Sequence, residues 1–379
     1  MDAERRLRVL ITADTVGGVW PFAIELATQL TAAGDRVLLA AMGQAPSATQ
    51  RQQARALDGL EFHARAYRLV WMRDPWHDLD EAAEWLGELA GSFAPDVIHL
   101  NDLALADRAW PAPVLLSAHS CVCSWWQAVH GESAPAEWNH YRECVGASLR
   151  STDRVVAPSR AMLHALVAQH GPIASCDVIH NGRTPPSGMR ATKEPFVLGA
   201  GRLWDEAKNL GALASIAQQL PWSVYLAGAV DHPDRGPAAT LRAHSLGPLS
   251  PSRLSGWMAR AWIYALPARY EPFGLSVLEA AQHGCALVLG DIPSLREVWG
   301  DAALFVDPDD PDALSAAILR LIHNDTLRSD MARRAGVRAR RYDPSLMAAR
   351  YRRNYMAMGS RASLSPSALV PDTLAGAAA

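Results

Sequence analysis

The feature that most constrains this chain is an alternation that runs twice. Short apolar runs of strand length, Arg8–Ala13, Val37–Ala41, Asp96–Leu100, Val114–Ala118, Arg154–Ala157 and Asp177–His180, are separated in most cases by stretches with helical spacing. A segment rich in Pro, Gly and Ser, Asn181-Gly-Arg-Thr-Pro-Pro-Ser-Gly188, interrupts the pattern. It restarts with Phe196–Ala200, Ser223–Ala227, Trp262–Leu266, Ala286–Leu289 and Ala303–Val306. Apolar strands alternating with helices belong to parallel sheets covered on both faces. Two such series predict two Rossmann-like α/β domains, and 379 residues suit that count at roughly 150 residues per domain. We place the first domain at 1–185 and the second at 186–342. A last helix at 343–359 carries Met347, Tyr351, Tyr355 and Met358 on one face, and the small-residue tail 360–379 reads as disordered. Ligands of open parallel sheets bind beyond the carboxyl ends of the strands. The cleft between the domains is therefore the expected site.

Charge and composition narrow the partners. With 36 basic and 39 acidic residues, nothing in the balance points to nucleic acid. No apolar run approaches the roughly 18 residues of a membrane span, and the start MDAERRLRVLITA lacks a signal-peptide pattern. A cytoplasmic location is the expectation. The five cysteines are odd in number and scattered, which argues against a disulfide framework. Cys121-Val-Cys123 has no second Cys pair or nearby His pair to complete a zinc site, so no metal is expected there. The thirteen tryptophans, among them Trp71, Trp76, Trp85, Trp125 and Trp126, leave two readings: packing, or an aromatic cleft for a sugar or lipid. A cluster of Arg333, Arg334, Arg338, Arg340, Arg341, Arg350, Arg352 and Arg353 also leaves two. One is a solvated helical face; the other is peripheral contact with an anionic membrane or acceptor.

The segment richest in chemistry is Arg269-Tyr-Glu-Pro-Phe-Gly-Leu-Ser-Val-Leu-Glu-Ala-Ala-Gln-His-Gly284, which follows a strand. After the Pro-Phe273-Gly274 turn a helix starts near Gly274. The free N–H groups of Gly274 and Leu275 then lie at a positive helix end, where a phosphate is favoured and glycine permits close approach. Glu279 falls one turn on, able to accept hydrogen bonds from the vicinal hydroxyls of a ribose, and Glu271 precedes the turn. Asp78-Leu-Asp80 and Asp307-Pro-Asp309 spell the Asp-x-Asp of metal-dependent sugar transfer. Both read better as turn and helix-cap carboxylates.

The spacing Glu271-x7-Glu279 within Y-E-P-F-G-L-x-x-L-E-A resembles the signature of the retaining, GT-B-fold glycosyltransferases of family 4, also called group 1. Gly201-Arg202-Leu with Lys208-Asn209, Gly17-Gly18 after the first strand, His119 ending VLLSAHS, Asp96–Asp102, Val156–Ser159 and Val178–Gly182 are similar to that family in form and order. The resemblance covers most of the chain up to about Met358. It implies two facing Rossmann-like domains with the last helix crossing back to the first. It also implies that Arg202 and Lys208 neutralise a donor diphosphate, that Phe273, Gly274, Leu275, Glu279, Gly17 and Gly18 bind the donor, and that Glu271 and His119 act beside the reacting sugar.

The implied activity is metal-independent transfer of a sugar, with retention, from a nucleotide diphosphate sugar to a hydroxyl of a glycan, lipid or small molecule. No cofactor is implied. A sugar-nucleotide epimerase or hydrolase on the same fold, and a silent nucleotide-sugar binding subunit, are the alternatives. The first domain carries no recognised acceptor motif, and Ser120 stands where many members have an acidic residue. The acceptor is left open.

Overall fold

The computed structural model describes residues 6–186, 191–230 and 242–362. The first domain runs β1 (Arg8–Asp14), α1 (Val19–Ala32), β2 (Arg36–Met42), α2 (Ala48–Arg55), β3 (Leu60–Ala64), α3 (Trp76–Phe93), β4 (Val97–Leu100), β5 (Val114–Ser117), α4 (Val122–His130), α5 (Asn139–Ser151), β6 (Arg154–Ala157), α6 (Arg160–His170) and β7 (Cys176–Val178). The second runs β8 (Glu194–Ala200), α7 (Leu210–Ser215), β9 (Ser223–Ala227), β10 (His244–Gly247), α8 (Pro251–Arg260), β11 (Ala261–Leu266), α9 (Leu275–Gln282), β12 (Ala286–Gly290), α10 (Pro293–Trp299), β13 (Leu304–Val306), α11 (Pro311–Ile322) and α12 (Asp325–Ala339). A long helix, α13 (Pro344–Ala362), follows.

The sheets are ordered β3-β2-β1-β4-β5-β6-β7 and β10-β9-β8-β11-β12-β13, and their neighbouring strands pair in parallel. Strands such as β2 and β12 are buried almost throughout, because helices cover both faces of each sheet. In each sheet the strand order reverses beside the first strand, between β1 and β4 and between β8 and β11. Those switch points open the crevices that hold ligands in such sheets. The expected α/β class with two parallel-sheet Rossmann-like domains is thus the observed one.

Two edge strands escape the sequence reading. β3 (LEFHA) and β10 (HSLG) are half-exposed and carry polar residues, so neither presents a continuous apolar run. The end of the chain also differs from expectation: α13 continues past residue 359 to Ala362, and the remainder of the expected tail lies outside the described residues.

α13 packs on the first domain. Met347, Tyr351, Tyr355 and Met358 are buried with Trp20, Phe22, Leu26 and Leu30 of α1. The contact is pinned by polar groups that burial makes expensive to leave unpaired. His99 on β4 meets Tyr355 Oη and Ser117 Oγ, each at 2.7 Å, and Arg352 Nε lies 2.9 Å from the carboxylate of Asp35. The chain crosses between domains twice, and the crossings touch. A Cβ on Gly182 would lie 2.5 Å from Pro344 Cα, so only glycine fits, and the Arg183 N–H donates to the Tyr342 carbonyl at 3.2 Å.

This packing also absorbs most of the arginine cluster. Arg333 and Arg334 hold Asp330, Arg338 donates to the carbonyls of Glu297 and Val298, and Arg350 holds Asp177. With Arg352 on Asp35, five of the eight have intramolecular tasks, while Arg340, Arg341 and Arg353 are exposed. No helix among the described residues is long and apolar enough to cross a membrane.

Candidate active site

A cleft of about 1290 Å³ lies between the domains. It collects residues from the ends of β1, β5, β8 and β11 and from the start of α9, and all ten site residues selected from the sequence line it.

On the first domain, β1 ends at Asp14, whose Oδ1 accepts the N–H groups of Val16 (3.0 Å) and Gly17 (2.9 Å). That fixes the glycine loop against the second domain: a Cβ on Gly17 would stand 3.6 Å from Arg202 Nη1, and one on Gly18 3.9 Å from Leu275 Cδ1. Burial pushes the Asp14 carboxyl above its ordinary value, although the loop N–H groups and Arg202 oppose this. His119 follows β5, bonds through Nε2 to Asn101 Oδ1 at 2.8 Å, and packs on Phe22. Burial pulls its pKa down to about 4. At neutral pH it is an uncharged, oriented imidazole.

On the second domain, Arg202 Nη2 lies 2.6 Å from Asp205 Oδ2, and Lys208 Nζ lies 2.6 Å from Glu271 Oε2. Burial acts to raise the Asp205 carboxyl, but Arg202, Lys208 and hydrogen bonds from Arg202 and Trp125 carry it below the usual range. Glu271 Oε1 accepts the Gly274 N–H at 2.9 Å. The expectation of a free Gly274 N–H is therefore corrected: the orphan donor of the helix start is satisfied by the carboxylate that precedes the turn. Gly274 holds φ 90°, and a Cβ there would press on Val277 and Leu295. Phe273 is 2% exposed and its ring packs on Tyr342, so it braces the turn from behind.

Several site residues are ones the sequence reading passed over. Glu279 Oε1 accepts from Arg183 Nε at 2.8 Å, and Arg183 also lies 3.5 Å from Glu25 on α1. Burial raises the Glu279 carboxyl, and Arg183 opposes the shift. Arg183 immediately follows the quoted Val178–Gly182 segment, so its place in the sequence was the available signal. Asn101 and Asp205 likewise sat inside or beside quoted motifs. Trp125 donates its indole N–H to Asp205 Oδ1 at 3.1 Å across the cleft. Trp71, Trp76, Trp126 and Trp138 also line the cleft, whereas Trp85 belongs to the core.

Two metal readings resolve differently. Asp78 and Asp80 hold the Arg68 N–H and Arg108; Asp307 and Asp309 hold the Asp309 N–H and Arg269. Neither pair lines the cleft. For the Cys121/Cys123 pair, the fold supplies a partner that sequence distance hides. His170 Nε2 lies 3.3 Å from Cys121 Sγ, and one ligand atom from each of the three residues falls within 4.8 Å of the others. Two thiols and an imidazole make three of the four ligands of a structural zinc site. The group stands behind the cleft and does not line it.

Comparison with known proteins decides the family. Residues 16–185 match the model described as Glycosyltransferase Family 4, and residues 190–338 match Glycosyl transferases group 1. The chain is a GT-B glycosyltransferase of group 1. It is similar to a phosphatidyl-myo-inositol mannosyltransferase of Mycolicibacterium smegmatis, 32% identical over 171 residues, or 42% of this chain. That alignment spans 44% of the relative, less than half its length. A Mycobacterium tuberculosis glycogen synthase is 26% identical over 84% of this chain and 86% of that enzyme. Among solved structures, Anabaena HepE in complex with UDP-glucose superimposes with a TM-score of 0.70 at 17% identity, over 93% of this glycosyltransferase and all of HepE. At that identity the likeness concerns the fold.

Proposed function

We propose that this glycosyltransferase moves a hexose from a nucleoside diphosphate sugar to an acceptor hydroxyl with retention, and that it does so without a metal. The observation that carries the reading is the meeting of Arg202, Lys208 and the start of α9 at the carboxyl ends of β8 and β11, facing the Gly17 loop. Both cations are held by carboxylates, Asp205 and Glu271, so they are oriented before any ligand arrives. The binding of UDP-glucose by HepE supports a donor of this class.

In the reaction the bond between the anomeric carbon and the diphosphate oxygen breaks, and the acceptor oxygen bonds to the same face of the sugar. The acceptor proton passes to the departing phosphate oxygen. Negative charge grows on the diphosphate, and Arg202, Lys208 and the Leu275 N–H stabilise it electrostatically. That positive charge does the work a divalent cation does elsewhere. Glu271, released from Lys208 and the Gly274 N–H, orients the sugar hydroxyls; Glu279 accepts from the ribose; neutral His119 positions the sugar. Closing the two walls excludes water and limits hydrolysis.

Thermal stabilisation by a panel of nucleotide sugars identifies the donor, since a ligand that binds only the folded state raises stability by RT ln(1 + [L]/Kd). Incubation with the stabilising donor and acceptors, followed by NMR of the product, is expected to show the donor's anomeric configuration retained and full activity in EDTA. An inverted product or strict dependence on added Mg²⁺ or Mn²⁺ overturns the reading.

A further inference from the structure

Away from the Gly17 loop and His119, the first-domain wall of the cleft is not used by the donor chemistry, and it is aromatic. Trp71, Trp76, Trp126 and Trp138 line it from the segment before α3, from the start of α3, from α4 and from the segment before α5, with Trp125 beside Trp126 at 5.7 Å between ring centroids. None of these rings is among the buried core residues. The cleft's 1290 Å³ exceeds the roughly 300–1,000 Å³ of an ordinary small-molecule site. A second substrate fits beside the donor.

Charge decides what that substrate is. The exposed ionisable groups on this wall are Arg73, Asp74, His130 and Glu137, one permanent cation against two carboxylates. A phosphate or carboxylate calls for converging cations or free amides. The cations of the opposite wall are committed to the donor. The first two N–H groups at the start of α4 are already engaged: the Cys121 N–H donates to Tyr270 Oη at 3.1 Å and the Val122 N–H to Tyr141 Oη at 3.0 Å. Indole rings do suit the C–H faces of a pyranose while leaving its hydroxyls to polar partners.

We propose that the acceptor is an uncharged pyranoside, stacked on the tryptophans of the first-domain wall. This rests on the transferase reading above and names the substrate that the reading leaves open. The neutral sugar can be the end of a glycan or the head of a glycolipid; the recognition chemistry is the same.

The test is ligand-observed NMR titration of the full chain with methyl α-D-glucopyranoside, methyl α-D-mannopyranoside, maltotriose and octyl glucoside, against glucose 6-phosphate, mannose 6-phosphate and octanol. Binding of UDP and GDP is titrated separately, in wild type and in Lys208→Ala. Neutral sugars are expected to bind saturably, and Trp71→Ala and Trp126→Ala are expected to weaken them about tenfold or more while nucleotide affinity stays unchanged. Preference for maltotriose assigns a glycan; preference for octyl glucoside assigns a glycolipid. Sugar phosphates or octanol binding as well as the neutral sugars overturns the proposal. So does neutral-sugar binding that ignores both tryptophan variants, or no neutral-sugar binding at all. Failure of UDP and GDP to bind overturns the donor reading alone.

Discussion

The two walls of the cleft solve the same problem in opposite ways. The second-domain wall displays charge, with Arg202, Lys208, Glu271 and Glu279 each within 2.8 Å of a counter-charge that a ligand can replace. The first-domain wall suppresses it. There burial drives the His119 pKa down and lifts Asp14 and Asp102, the last to about 6, and in the core behind the wall His99 is drawn down as well. A reaction that sheds a diphosphate needs charge on one side only. The difference teaches that the cleft is divided by chemistry as well as by domain, and the following changes should expose that division.

The largest effect belongs to the charged wall. Lys208→Ala is expected to lower turnover about 100- to 1,000-fold, the usual cost of removing one group that stabilises transition-state charge. Circular dichroism should show the fold intact. Near-normal turnover in a folded Lys208→Ala protein would move the diphosphate site elsewhere.

The neutral wall should announce itself in acid. His119 has an ordinary value of 6.5 and a folded value of about 4. Between those values the unfolded chain takes up a proton that the folded chain refuses, so stability present above pH 6.5 is lost as pH falls toward 4. For this residue alone the loss is about 3 kcal/mol. His99 shifts in the same direction, also through burial. Asp102 acts oppositely, its raised pKa favouring the folded state as pH falls below about 6. Denaturant titrations from pH 7 to pH 4 are expected to show a net decline, with His119→Gln flattening it. An identical slope in His119→Gln would mean that the imidazole is solvated and that the first wall is not neutral by construction.

A change at the seam is expected to be smaller. Arg183→Ala removes charge-assisted bonds that join Glu279 on α9 to Glu25 on α1, at a cost of about 2 kcal/mol. Thermal denaturation checks it. An unchanged midpoint would show that the adjoining crossings alone hold the walls in register.

The same division governs what the sequence discloses. The charged wall was legible because its residues sit close together along the chain, on Gly201–Asn209 and Arg269–Gly284, with spacing that one loop and one helix impose. Central strands were legible because burial on both faces demands continuous apolar runs, and edge strands β3 and β10 were not, because exposure relaxes that demand. The state of Gly274 was misread because which acceptor satisfies a helix start depends on the loop's three-dimensional path. Trp71, Trp76, Trp125 and Trp126 were named in the aromatic-cleft reading and do line the cleft, whereas the Cys121–Cys123–His170 group and the place of Trp138 on that wall were illegible for one shared reason. Each depends on side chains from segments far apart in sequence, and no local pattern encodes which of thirteen tryptophans will face a cleft.

The smallest effect concerns the bond that joins the walls directly. Trp125 on α4 reaches across to Asp205, the carboxylate that also orients Arg202. Trp125→Phe keeps a smaller aromatic ring and removes the indole N–H. Asp205 still accepts from Arg202 and from the Ala207 N–H, so its charge remains satisfied and the loss is limited to about 1 kcal/mol. Because Asp205 sits between the aromatic and the cationic groups, that loss should fall on donor as well as acceptor recognition. An increase of about fivefold in the KM of both substrates, with kcat nearly unchanged, is the expected outcome. A change confined to the acceptor would show instead that the bond merely positions α4, and that the two walls work independently.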